Sequence, residues 1–125
     1  MATEFVIKLP DRPGQLAMLT TALAEGGVNL RSIGGNKGLV GIVVSDADTA
    51  RARRALKKGK YRATERKAIE VRMKDKAGSL DRAAKRFGKG KVNLASAYVL
   101  APGRGSVTVA FGVKDARGAK RALGR

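Results

Sequence analysis

Apolar side chains fall on every second residue at Phe5, Ile7 and Leu9, and again at Ile69, Val71 and Met73. That spacing predicts two strands, each with one buried face, the first from about Glu4 to Leu9. The period then lengthens. Leu16, Leu19, Leu23 and Ala24 form a stripe with helical spacing, as do Leu80, Ala83, Ala84 and Phe87. Gly26 and Gly27 are placed to stop the first helix. Further strands are predicted from Val28 and from Leu39, and a helix from about Thr49 to Lys57. Asp46 and Asp48 are placed as helix-start residues. Tyr61 to Glu65 reads as a fourth strand, or Tyr61 to Met73 as one long or bent strand serving both halves.

The two halves are copies. "FVIKLPDRPGQL" (Phe5 to Leu16) aligns with "IEVRMKDKAGSL" (Ile69 to Leu80) at an offset of 64, and the same offset places Val28-Asn29-Leu30 on Val92-Asn93-Leu94. Beyond that the offset becomes 67. Gly38, Val40, Ile42 and Val44 then match Gly105, Val107, Val109 and Phe111, and Asp48, Ala52, Ala55 and Leu56 match Asp115, Ala119, Ala122 and Leu123. The three extra residues are expected in a hairpin loop at Ala101 to Gly105, against a tighter turn at Gly34 to Gly38. The resulting expectation is an α+β chain of two ferredoxin-like βαββαβ repeats, residues 1–65 and 66–125, the second lacking its last strand. The edge so left calls for cover from the other repeat or a second chain.

Composition narrows the chemistry. The 125 residues contain no Cys and no His, which removes thiol redox chemistry, the commonest metal ligand and the commonest general base. The acidic residues are too few and scattered for a metal site, and no nucleophile has an identifiable base. No catalytic residue, metal or cofactor is expected. No apolar run reaches membrane-spanning length, and "MATEF" does not read as a signal peptide, so a cytoplasmic protein is the expectation. "GGNKG" lacks the Gly-Lys-Ser/Thr ending of a phosphate loop and reads as a turn.

Charge is the unusual feature: 27 Lys and Arg against 10 Asp and Glu, a net +17. The densest run supplies Arg51, Arg53, Arg54, Lys57 and Lys58. On a helix these either track a phosphate backbone non-specifically or form the solvated face opposite Ala52, Ala55 and Leu56. Phe5, Phe87 and Phe111 fit interior positions, which argues against base stacking on the sheet.

"DRPGQLAMLTTALAEGGVNL" (Asp11 to Leu30) resembles the signature of the ACT domain, a small amino-acid-sensing module. "DKAGSLDRAAKRFGKGKVNL" (Asp75 to Leu94) resembles it too, with Ala77 where proline is usual, and Tyr98 is similar to the second strand of tandem ACT proteins. The resemblance covers nearly the whole chain. It implies a non-catalytic, allosteric regulator similar to the free-standing tandem ACT proteins and, more loosely, to the glycine-cleavage repressor type. It further implies a homodimer or higher homo-oligomer, with a free amino acid bound where the strand-to-helix loop of one unit meets the early second strand of its neighbour. Carried over, the ligand-binding residues are Asp11, Arg12, Pro13, Gly14, Gln15 and Leu16 with Asn29, and Asp75, Lys76, Ala77, Gly78, Ser79 and Leu80 with Asn93.

Physical chemistry is consistent with that role. Gly14 and Gly78 leave the first-turn amides uncovered at the positive end of a helix, where a carboxylate is stabilised. Pro13 suits the first helical position, while Ala77 keeps an amide that Pro13 lacks, so the two sites are expected to differ. Asn29 and Asn93 offer both donor and acceptor. The alternative is a basic nucleic-acid-associated protein on an ACT-like scaffold.

Overall fold

The computed structural model describes residues 1–125 as an α+β chain with six strands and four α-helices. In chain order these are β1 (Ala2–Lys8), α1 (Gln15–Glu25), β2 (Ser32–Asn36), β3 (Leu39–Ser45), α2 (Thr49–Lys58), β4 (Ala63–Lys74), α3 (Ser79–Lys89), β5 (Ser96–Gly103), β6 (Ser106–Val113) and α4 (Ala116–Ala122). A short 3-10 turn, Asp46–Asp48, leads into α2. Two compact units result: Thr3–Glu65, and Arg66–Arg125 together with Met1–Ala2.

In the first unit the strand order is β2-β3-β1. Phe5, Ile7 and Leu9 are buried as their alternation predicts, and they join Leu19, Leu23, Ile42, Val44, Ala52 and Leu56 in one core. The helix stripe is narrower than its spacing suggests. Leu16 is 51% exposed and Ala24 is also exposed, leaving Leu19 and Leu23 as the buried contacts of α1. Val28 does not begin a strand. Its N–H donates to the Leu23 carbonyl at 3.0 Å while Gly27 sits at φ 74°. This is a Schellman closure, in which the chain must first satisfy the helix end before it can extend. The second strand therefore starts at Ser32.

The second unit repeats the pattern with the order β4-β6-β5. Ile69, Val71, Phe87, Val109, Phe111 and Val113 form its core, and the Phe87 and Phe111 rings lie 5.2 Å apart at 58°. Ala83 and Phe87 are buried, while Leu80 and Ala84 are exposed. As in the first unit, the residues after the helix, here Val92 to Leu94, close it rather than start a strand. β4 is a single 12-residue strand starting at Ala63, so Tyr61 and Arg62 precede it. No strand follows α4. Met1 and Ala2 belong to this unit, with the Met1 ammonium 3.6 Å from Glu70.

The three inserted residues do not enlarge a loop. Ala101, Pro102 and Gly103 continue β5, whose register against β6 shifts between Val99 and Pro102. The turn itself is Arg104-Gly105, as short as its counterpart Lys37-Gly38. The bulge takes up one of the three residues, three steps on β5 facing two on β6, and the other two carry Ser96 along β6 to Gly112; β5 ends the strand order of its unit, a position that tolerates proline.

Candidate functional site

Both strand-to-helix loops fold alike. Gly14 precedes α1 at φ 85° and Gly78 precedes α3 at φ 88°, left-handed conformations that an L-residue adopts only with strain. The Gln15 N–H donates to the Arg12 carbonyl at 3.3 Å, and the Ser79 N–H to the Lys76 carbonyl at 3.2 Å. No side chain caps either helix. The next amides, Leu16 and Ala17 in one loop and Leu80 and Asp81 in the other, therefore need acceptors from outside the helix. A Cβ built on Gly14 would meet nothing within 4 Å, so the approach to this turn is open. Pro13 is not the first helical residue. It lies two positions before Gln15, in the turn, because the left-handed glycine intervenes.

Asp11, Arg12, Gln15 and Leu16 line a cavity of about 180 Å³ with Leu9, Pro10 and, from the following hairpin, Asn36, Gly38, Leu39 and Val40. Lys37 at the hairpin tip stands 3.9 Å from the Asp11 carboxylate. Asn36 and Leu39 were not among the expected site residues. The hairpin "GGNKG" reads as a plain turn in sequence, and only the fold brings it beside the loop. Of the second loop, Ser79 is buried and Asp75, Lys76, Ala77, Gly78 and Leu80 are exposed. Leu16 and Leu80 occupy equivalent positions and are 51% and 52% exposed.

The asparagines lie elsewhere within each unit. Asn29 and Asn93 are exposed and stand beyond the far ends of α1 and α3, 11-residue helices about 16 Å long. One unit therefore does not bring its own asparagine to its own loop. Asn29 is fixed through its backbone, its N–H donating to Asp48 Oδ2 at 3.1 Å. The Arg51 guanidinium hydrogen-bonds the other oxygen of Asp48. These two donors, Arg51 first, hold the Asp48 carboxyl below its ordinary value. Asp48 is thus a tether for Asn29 rather than a side-chain helix cap.

The basic run is partly neutralised. Arg53 grips Glu65 through two hydrogen bonds of 2.9 and 2.7 Å, and Arg51 is paired with Asp48, leaving Arg54, Lys57 and Lys58 as the unpaired remainder of the five. Ala52, Ala55 and Leu56 point into the core, the arrangement of a solvated basic face. No group of three Asp or Glu side chains stands together as metal donors, and no helix is long and apolar enough to cross a membrane.

Known structures share this architecture. The chain is similar over 98% of its length to a protein from Bacteroides thetaiotaomicron, with a TM-score of 0.77, 21% identity and 85% of that chain covered. The ligand-free regulatory subunit of aspartate kinase from Thermus thermophilus aligns over 98% of this chain and 89% of its own, with a TM-score of 0.69 and 21% identity. The fold is ACT-like. Aspartokinase III from E. coli, solved with lysine and aspartate, matches 98% of the chain through 30% of its own, with a TM-score of 0.63 and 13% identity. No protein-family model matches the sequence, and no curated protein is significantly similar to it.

Proposed function

We propose that the chain is a non-catalytic regulatory protein of two ACT repeats, residues 1–65 and 66–125, each ferredoxin-like and the second without a last strand. It binds a free amino acid at the loops Asp11–Leu16 and Asp75–Leu80. The observation that carries this reading is the pair of left-handed glycines, Gly14 and Gly78, each heading a helix whose first-turn amides no side chain caps. Amides so placed suit a carboxylate. Leu16 and Leu80, half-exposed beside them, offer apolar contact to a side chain or a neighbouring subunit.

Completion of the site comes from a second copy. Asn29 and Asn93 lie a helix length away from the loops of their own units, so a homodimer or higher homo-oligomer supplies them across an interface. Likeness to regulatory subunits of aspartate kinase supports the regulatory role. Binding shifts the regulated equilibrium only as far as affinity differs between its two states.

A thermal-shift panel of the common amino acids at 150 mM salt tests this. Gly14→Ala should abolish or weaken the shift produced by the active amino acid, and sedimentation should report a dimer or larger. An amino-acid response unchanged in a folded Gly14→Ala, Gly78→Ala double variant would remove the loops from the site.

A further inference from the structure

The repeat places an equivalent cleft in each unit, at the end of the first strand and against the helix that follows. In the first unit it measures about 530 Å³ and its lining includes Leu9, Pro10, Met18 and Tyr61 with Lys8, Lys60 and Arg62. In the second it measures about 290 Å³ and is lined by Val71, Met73, Ala83, Leu123 and Ser79 with Arg72, Lys74, Arg82 and Arg86. The offset of 64 matches Met18 to Arg82 and Ala22 to Arg86. Two uncharged positions of the first helix are thus arginines in the second.

Both arginines are exposed, and each is anchored by a hydrogen bond from its guanidinium. Arg82 Nη2 donates to Ser79 Oγ at 3.2 Å, and Ser79 is only 6% exposed. The same guanidinium lies against Gly78, 3.1 Å from where a Cβ would stand. Arg86 Nη2 donates to the Leu123 carbonyl at 2.7 Å. The two are four apart on one helix, a spacing at which like charges repel. Arg72 and Lys74 alternate with the inward-facing Val71 and Met73, so their side chains leave from the other face of the sheet, where Arg72 Nε donates to Ser106 Oγ at 3.3 Å. Neither Arg82 nor Arg86 has a carboxylate partner, and no acid lines the cleft. Nearby Asp81 is paired with Lys85 at 2.9 Å instead.

We infer that this cleft is an anion site for a compact, multiply charged oxyanion such as a phosphate or pyrophosphate group, adjoining the second amino-acid loop through Ser79 and Gly78. Two forked guanidinium groups fixed in one cleft match tetrahedral oxyanion geometry. A zwitterionic amino acid would bring an ammonium group to two guanidinium groups with no acid to receive it. The first-unit cleft, with Met18 and Ala22 where α3 has Arg82 and Arg86, has cations of its own in Lys8, Lys60 and Arg62 but no pair of guanidinium groups on one helix.

Titration calorimetry of the full chain with pyrophosphate at 150 mM salt tests the assignment, with inorganic phosphate alongside to separate one phosphoryl group from two. One saturable site per chain is expected. Arg82→Met, which installs the residue of the first unit, should weaken it at least tenfold, while Arg104→Gln, an equal charge loss at the hairpin turn, should change it less than twofold. In the wild-type chain, pyrophosphate should also protect Arg82 and Arg86 from phenylglyoxal, read by mass spectrometry. No saturable binding, equal weakening by both variants, or no protection would overturn the proposal.

Discussion

Phe87 fills the centre of the second unit's core where Leu23 fills that of the first. Asp115 caps α4 through the Gly118 N–H at 2.8 Å, whereas Asp48, its match in the first unit, spends its carboxylate on Asn29 and Arg51. The difference turns on one position. Gly118 stands where the first unit has Arg51, and a Cβ there would come within 2.2 Å of Asp115 Oδ2. Glycine therefore lets the aspartate bond locally, while arginine draws the other aspartate outward to meet the loop that carries Asn29. One scaffold thus uses the same acid once to hold a helix and once to hold a candidate binding residue.

Core substitutions should break the comparison most severely. Phe87→Ala is expected to cost about 3–5 kcal/mol, because a fully buried ring and its contact with Phe111 are lost. Leu23→Ala should cost about 2–5 kcal/mol, at or below the Phe87 value. Urea denaturation measures both. A larger loss for Leu23→Ala would mean that the first unit, not the second, depends more on its central side chain.

Next comes the cap. Asp115→Ala should destabilise by about 1 kcal/mol, the usual cost of losing an N-cap acceptor. Amino-acid affinity should stay unchanged. Asp48→Ala should instead disturb ligand binding by freeing the Asn29 backbone. Calorimetry on the two variants separates structural from positioning roles.

All four helices end with a left-handed residue, Gly27, Lys60, Lys91 and Gly124. Two of these are lysines at φ 60° and 58°. Lys60→Gly and Lys91→Gly should each stabilise by roughly 0.5–1 kcal/mol, relief of strain outweighing the added freedom of the unfolded chain. Gly27→Lys should lose a similar amount. Thermal melts decide it.

The smallest effect is one of pH. The Asp48 carboxyl titrates below its ordinary value of 3.8, so its contribution to stability is present above that value and is lost as pH falls through the folded one. Asp48→Asn should flatten stability against pH below about 4. An unaltered acid limb would place the tether's energy elsewhere.

Much of the fold was legible because repetition doubled each signal. Phe5, Ile7 and Leu9 alternate, Ile69 and Val71 alternate, and all five are buried. Misreadings arose where local chemistry serves a different geometry. Pro102 and Gly103 read as a loop but sit in a bulged strand at the end of the strand order. Val28 and Val92 read as strand starts but close helices. Leu16 and Leu80 have core spacing, yet they stand at the first helical turn and remain half-exposed. The loops of the candidate site were visible as a motif. The hairpin residues Asn36 and Leu39 beside the first loop were not, because only tertiary folding brings them there. Nor does the sequence announce that Asp48 holds Asn29, a contact between residues 19 apart.

The central claim is that the glycine-headed loops bind a free amino acid. Its most direct measurement is the thermal-shift panel at 150 mM salt. One or two amino acids, at about 100 times their dissociation constant, should stabilise the chain by roughly 2.7 kcal/mol, and Gly14→Ala should reduce that response. A flat response to every amino acid, with a salt-sensitive shift from an RNA or DNA duplex, would contradict the account and make the basic surface the functional one.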